Sequence, residues 1–92
     1  MRSRYSAYVL DSRDYLLHTW HASTRPAALR APERGQRWLG LEVKRHVVLD
    51  ETNALVEFVA RSKLGGRARR LHEVSRFVRE NGRWFYVDGE VR

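Results

Sequence analysis

Cysteine is absent from the 92 residues, which excludes disulfides, thiolate zinc sites and a thiol nucleophile within this sequence. Also missing are a run of about 18 apolar residues and a charged-then-apolar leader, so neither a membrane span nor a signal peptide is expected. The cytoplasm is the expected compartment, and no membrane partner is implied. Internal repeats, linkers and low-complexity stretches are lacking as well. Acidic side chains are the scarce charge: 11 of them face 18 basic ones, for a net charge of +7. That balance admits a polyanionic partner such as nucleic acid. Sixteen of the basic residues are arginines scattered along the whole chain, which is equally the pattern of a solvated surface.

What is present suits one globular unit spanning 1–92, since 42% apolar content in 92 residues supports a modest core and no more. Tyr5, Tyr8 and Val9 recur at helical spacing. Asp11 and Ser12 then interrupt, and are placed to cap a second helix that carries Leu16, Leu17 and Trp20 on one side. Ser23 or Thr24 followed by Pro26 predicts a short third helix over 26–30, stopped by Pro32 and Gly35. After Gly35 the period changes. Leu39, Leu41, Val43, Val47 and Leu49 alternate with Glu42, Lys44 and His46, the period of a half-buried strand over 37–49. Asp50 to Asn53 form its turn. Strands over 54–64, 67–80 and 83–88 follow, joined by two-residue turns at Gly65-Gly66 and Asn81-Gly82. The predicted architecture is α+β, with N-terminal helices packed on one face of a curved, four-stranded antiparallel sheet.

Two-residue turns fix the register. Ala60 is expected opposite Leu71, Phe58 opposite Glu73, Val56 opposite Ser75, Phe77 opposite Tyr86 and Ser75 opposite Asp88. A four-residue turn at Asp50 to Asn53 brings Arg45 opposite Phe58. The helix-covered face then holds Arg45, Glu73, Ser75 and Asp88 among aromatic and aliphatic neighbours, and polar groups on a concave apolar face describe a small-molecule pocket. The opposite face carries Glu57, Val59, Arg61, His72, Val74, Arg76, Val78, Phe85 and Val87, a mixed surface for which a second copy of the chain is one cover, giving a homodimer.

Six segments occurring in order, MRSRYSAY, DYLLHTWH, RWLGLEV, ALVEFVAR, LHEVSRF and GRWFYVDGE, together resemble the YchJ family of small bacterial proteins. The resemblance implies a nuclear-transport-factor-2-like (cystatin-like) cone, which coincides with the architecture read from periodicity. It implies no reaction. Family members carry a cysteine motif, similar to the zinc-binding tail of the SecA translocase, ahead of the segment matching Met1. That motif is missing here, so no zinc role is carried over, and the sequence is expected to be the middle domain with a shortened first helix.

The candidate pocket residues are Arg45, Phe58, Glu73, Ser75, Tyr86, Asp88, Trp20 and His21. Trp20 is expected to anchor the helices on the sheet. His21, at the end of the second helix, either closes over the pocket mouth or, the favoured reading, meets the last carbonyls of that helix. Glu73, Ser75 and Asp88 admit three readings: a hydrogen-bonded structural network, a ligand-binding set, or an acid–base pair whose burial raises a carboxyl pKa. His18, His21, His46 and His72 have no carboxylate at zinc-signature spacing, so neither a metal nor a cofactor is expected. Lys63, Arg67, Arg69 and Arg70 form a basic hairpin tip at Gly65-Gly66. The aromatics that offer to stack on bases fall mostly on the core side. The expected role is a ligand-binding or scaffolding module. The alternatives are a small hydrolase, dehydratase or isomerase using pocket carboxylates, and a basic nucleic-acid adaptor.

Overall fold

The computed structural model describes residues 2–29 and 35–92. Among these, helices α1 (Arg2–Val9) and α2 (Arg13–His18) precede strands β1 (Arg37–Val48), β2 (Asn53–Leu64), β3 (Arg67–Glu80) and β4 (Arg83–Val91). The strands pair as an antiparallel meander in chain order.

The helices break where expected. Asp11 adopts a left-handed φ of 55°, and the Ser12 N–H closes the end of α1 by donating to the Ala7 carbonyl at 2.7 Å. Ser12 occupies the cap position of α2, yet its side chain makes no capping bond. The expected third helix does not form over 26–29. Arg30 and the stop at Pro32 lie outside the described residues. In its place the chain from Thr19 to Thr24 lies along the free edge of β4. The Tyr86 N–H donates to the Thr19 carbonyl at 2.8 Å and the His21 N–H to the Tyr86 carbonyl at 2.7 Å. The Thr24 hydroxyl donates to the Val87 carbonyl at 2.6 Å. An uncovered edge strand invites pairing with another chain, and this segment blocks it.

Both tight turns take the left-handed values that two-residue hairpins require, with φ of 57° and 80° at Gly65 and Gly66, and 52° and 77° at Asn81 and Gly82. The resulting pairs Ala60–Leu71, Phe58–Glu73, Val56–Ser75 and Phe77–Tyr86 are the expected ones. Three bulges alter the rest. In β4 an extra residue between Tyr86 and Asp88 sets Asp88 opposite Arg76 and Gly89 opposite Ser75. In β1 the register is already one residue short at the first turn, with Val48 rather than Leu49 opposite Ala54, which sets Arg45 opposite Glu57. A bulge at Lys44 then returns Val43 to the inner face, opposite Phe58, and one at Leu39 brings Trp38 opposite Ser62.

The inner face therefore carries Trp38, Leu41, Val43 and His46 of β1, the even residues of β2, the odd residues of β3, and Trp84 and Tyr86 of β4. The helices pack on this face, where Tyr5 meets Trp38 edge-on at 5.6 Å. Ala7, Leu16, Ala54, Val56, Phe58, Ala60 and Phe77 are buried there together with Arg4, Ser62 and Ser75. Val59 is fully buried on the outer face. No helix among the described residues is long and apolar enough to cross a membrane.

Candidate functional site

A cavity of about 490 Å³ opens between the start of α1 and the inner face of the sheet. Its floor is apolar: Val43, Ala54, Val56 and Phe77. Arg2, Arg4, Tyr15 and Thr19 form the helical wall, and His46 and Trp84 stand at the sides. No carboxylate among the described residues lines it.

Arg4 is the unusual member. Its residue is only 4% exposed, and one guanidinium nitrogen, Nη1, donates to the Leu16 carbonyl at 3.1 Å and to Thr19 Oγ1 at 2.6 Å. The guanidinium carbon lies 4.5 Å from the centre of the Tyr86 ring and 5.4 Å from that of Trp20. Burial lowers its pKa from the ordinary arginine value, and the neighbouring tyrosines Tyr8, Tyr86 and Tyr15 oppose that shift. Among the described residues no carboxylate pairs with it. Trp20 in turn stands edge-on against Tyr86 at 5.0 Å, and its indole Nε1 donates to Thr24. Arg4, Trp20 and Tyr86 thus make one stack that ties α1 to the edge of the sheet.

The expected site residues divide into three groups. Glu73 and Ser75 meet on the inner face, where the Ser75 hydroxyl, fully buried, donates to Glu73 Oε2 at 2.6 Å. Phe58 is buried opposite Glu73. Tyr86 lies beneath Arg4, and burial, reinforced by the charge of Glu73, pushes its phenol up to about 12. These residues adjoin the cavity wall rather than line it. Trp20 and His21 lie at the β4 edge. The His21 ring lies 2.7 Å from both Ser23 Oγ and Glu80 Oε2, so it closes no pocket mouth.

Two expectations are corrected. Asp88 is on the outer face, where Arg76 grips it through two bonds of 2.6 and 2.7 Å and holds its carboxyl below the usual range. Arg45 is also outside, exposed, 3.7 Å from Glu57. A period-two strand changes face with each one-residue slip, and one bulge and one longer turn supply those slips. Glu73 and Asp88 therefore share no site. Sequence reasoning missed Arg4, Thr19 and His46. The available signal was the spacing of Arg4 to Ala7 and Tyr8 on one helical face, but arginine is rarely a buried residue.

The outer face is crossed by ion pairs. His72 Nε2 lies 2.7 Å from Glu57 Oε2, and Glu42 lies between Lys44 at 2.9 Å and Arg61 at 3.8 Å. Among the described residues no three of His, Asp and Glu converge as a metal-binding group.

The helix-on-meander geometry agrees with comparisons to known proteins. Residues 1–89 match the family model described as YchJ, middle NTF2-like domain. The chain belongs to the YchJ family. A UPF0225 protein of Methylibium petroleiphilum is 69% identical to this YchJ-family chain over 91 residues, covering 99% of the chain and 67% of the relative. One from Polaromonas naphthalenivorans is also 69% identical over 91 residues, covering 98% and 65%. One from Bordetella pertussis is 59% identical over 92 residues, covering 100% and 69%. The chain thus spans about two thirds of the length of the curated relatives it matches. The solution structure of a SEC-C motif containing protein from Rhodopseudomonas palustris superposes with a TM-score of 0.89 at 34% identity, covering 100% of this chain and 75% of that one.

Proposed function

We propose that this YchJ-family chain is a ligand-binding module whose cavity takes a small organic anion with an apolar body. The observation that carries the reading is Arg4, a buried guanidinium on the cavity wall with no carboxylate partner among the described residues. Burying a charge is costly unless it is paired. Among the described residues, carbonyl and hydroxyl oxygens and two ring faces solvate Arg4 but leave its charge uncompensated, whereas a carboxylate entering the cavity supplies both the counter-charge and acceptors for the guanidinium fork. The cavity volume of about 490 Å³ falls in the range of small-molecule sites, roughly 300–1,000 Å³. Val43, Ala54, Val56 and Phe77 offer the ligand body an apolar bed, and Tyr15 and Trp84 offer ring walls.

The acid–base alternative has less support, because Glu73 is engaged by Ser75 and Asp88 is bound to Arg76 on the other face. The test uses 2-naphthoate as the probe and its neutral amide as the control, followed by amide chemical shifts. Naphthoate is expected to perturb residues around Arg4, Thr19, Val56 and Phe77 and to bind at least tenfold more tightly than the amide. Ala54→Leu, which fills the floor, abolishes binding while the fold persists. Equal binding of acid and amide, or no perturbation near Arg4, overturns the reading.

A further inference from the structure

The basic residues are not evenly spread once the chain folds. From Arg61 to His72 the sequence has five cationic side chains and no acidic one. The register brings them together at the far end of the β2–β3 hairpin. Arg61 stands directly opposite Arg70, and one step further out Lys63 stands opposite Arg37 of β1. All four are exposed and share the outer face. Arg67, also exposed, follows at the tip.

Like charges directly opposite one another destabilise a sheet, and here two such pairs lie side by side. Glu42, the acidic residue paired with this group among the described residues, is 2.9 Å from Lys44 and further, 3.8 Å, from Arg61. Its carboxyl is held below the usual range chiefly by Lys44, with Arg61 and Arg70 contributing less. Among the described residues the repulsion is thus only partly relieved.

We infer that this outer face of the hairpin binds the phosphate backbone of a single-stranded nucleic acid. Alternate residues on a strand are about 6.7 Å apart, so Arg61 and Lys63 are spaced like successive phosphates, and Arg70 and Arg37 flank them. A single strand suits the shape better than a duplex does. β1 runs beside the hairpin as far as Arg37, which makes the surface three strands broad, whereas a major groove about 12 Å wide admits a two-stranded ribbon. The absence of exposed rings among these four side chains makes the interaction a backbone one, independent of sequence and strongly salt-dependent. It is independent of the Arg4 cavity, which lies on the opposite face.

The experiment is fluorescence anisotropy with a labelled 20-nucleotide oligouridine RNA and the matching oligothymidine DNA. Both are expected to bind with Kd of about 10⁻⁴ to 10⁻⁶ M, the ordinary range for non-specific backbone contacts. The triple variant Arg61→Gln, Lys63→Gln, Arg70→Gln is expected to lose at least tenfold in affinity. The slope of log K against log salt should shrink by about 2, at roughly 0.7 per phosphate contact on a single strand. The same variant should melt no lower than the parent, since opposed charges have been removed. A control triple of equal net charge, Arg13→Gln, Arg79→Gln, Arg83→Gln, should bind within about twofold of the parent. Equal loss in both triples reduces the effect to net charge and overturns the inference. So does binding to polyglutamate as tight as to RNA, preferential binding to phosphatidylglycerol vesicles, or no binding to either oligonucleotide at low salt.

Discussion

Gly89 tests the packing of the inner face, because the sign of one substitution separates two accounts of it. Gly89 lies opposite Ser75, and the Glu73 side chain folds across it, so a Cβ built at position 89 overlaps the Glu73 carboxylate carbon and Oε2. Gly89→Ala therefore pushes Glu73 aside and breaks the 2.6 Å bond from the fully buried Ser75 hydroxyl. A hydrogen bond to a charged acceptor contributes about 1.5–3 kcal/mol, and partial exposure of Glu73 favours the low end. Against that, replacing glycine at a compatible backbone angle stabilises by about 0.4–1 kcal/mol through the unfolded chain. The balance is a net loss of roughly 1 kcal/mol, or about 4–8 °C in melting temperature for a chain of this size. Urea denaturation of the parent, Gly89→Ala, Ser75→Ala and the double variant measures it. Both single changes remove the same bond, so the double variant should cost clearly less than their sum. A stabilising Gly89→Ala with additive double-variant energetics would show that Glu73 moves freely and that its bond to Ser75 contributes nothing.

Trp20→Ala removes one of the two rings of the Arg4–Trp20–Tyr86 stack. It should destabilise by about 2–3 kcal/mol, below the 3–5 typical of a fully buried aromatic because this ring is part-exposed; a shift of only a degree or two on thermal melting refutes the anchor role. Tyr86, with its phenol near 12 in the fold against about 10 when unfolded, contributes stability that is complete below pH 10 and is lost as pH rises toward 12. Two units correspond to about 2.7 kcal/mol, which the half-buried position screens to about 1. Denaturation midpoints between those pH values should therefore fall more steeply for the parent than for Tyr86→Phe, and parallel curves count against the assignment.

Much of the sheet was legible because its turns announce themselves. Gly65-Gly66 and Asn81-Gly82 supply residues that accept positive φ, and a two-residue loop then dictates every partner until something interrupts the ladder. The β2–β3 register followed along its whole length for that reason. The interruptions were not legible. A bulge is a backbone choice at one residue, and neither the step from Tyr86 to Asp88 nor Lys44 carries a side chain that reports it. Its effect nevertheless reaches every residue beyond it. That is why an uninterrupted register sets Asp88 beside Ser75, where Gly89 stands, and why the carboxylates separate into Glu73–Ser75 inside and Arg76–Asp88 outside.

The cavity was hidden for a different reason. Helical periodicity locates a buried face by its apolar residues, and in α1 that procedure selects Tyr5, Tyr8 and Val9. The fold buries Arg4 and Ala7 instead and leaves Val9 48% exposed. The helical face is rotated by about one residue because Arg4 has something to meet: the Leu16 carbonyl, Thr19 Oγ1 and the Tyr86 ring come from α2, the segment after it and β4. None of those partners is near in sequence. A buried cation is recognisable only from the set of groups that solvate it, and that set exists only once the sheet edge, with Tyr86 held by Thr19 and His21, has been assembled. The same dependence separates the two candidate surfaces in kind. The Arg4 wall is made by tertiary contacts and should lose its ligand whenever the stack is broken. The Arg61–Arg70 face is made by a two-residue turn and local pairing, and should keep its charge pattern in variants that disturb only the helices.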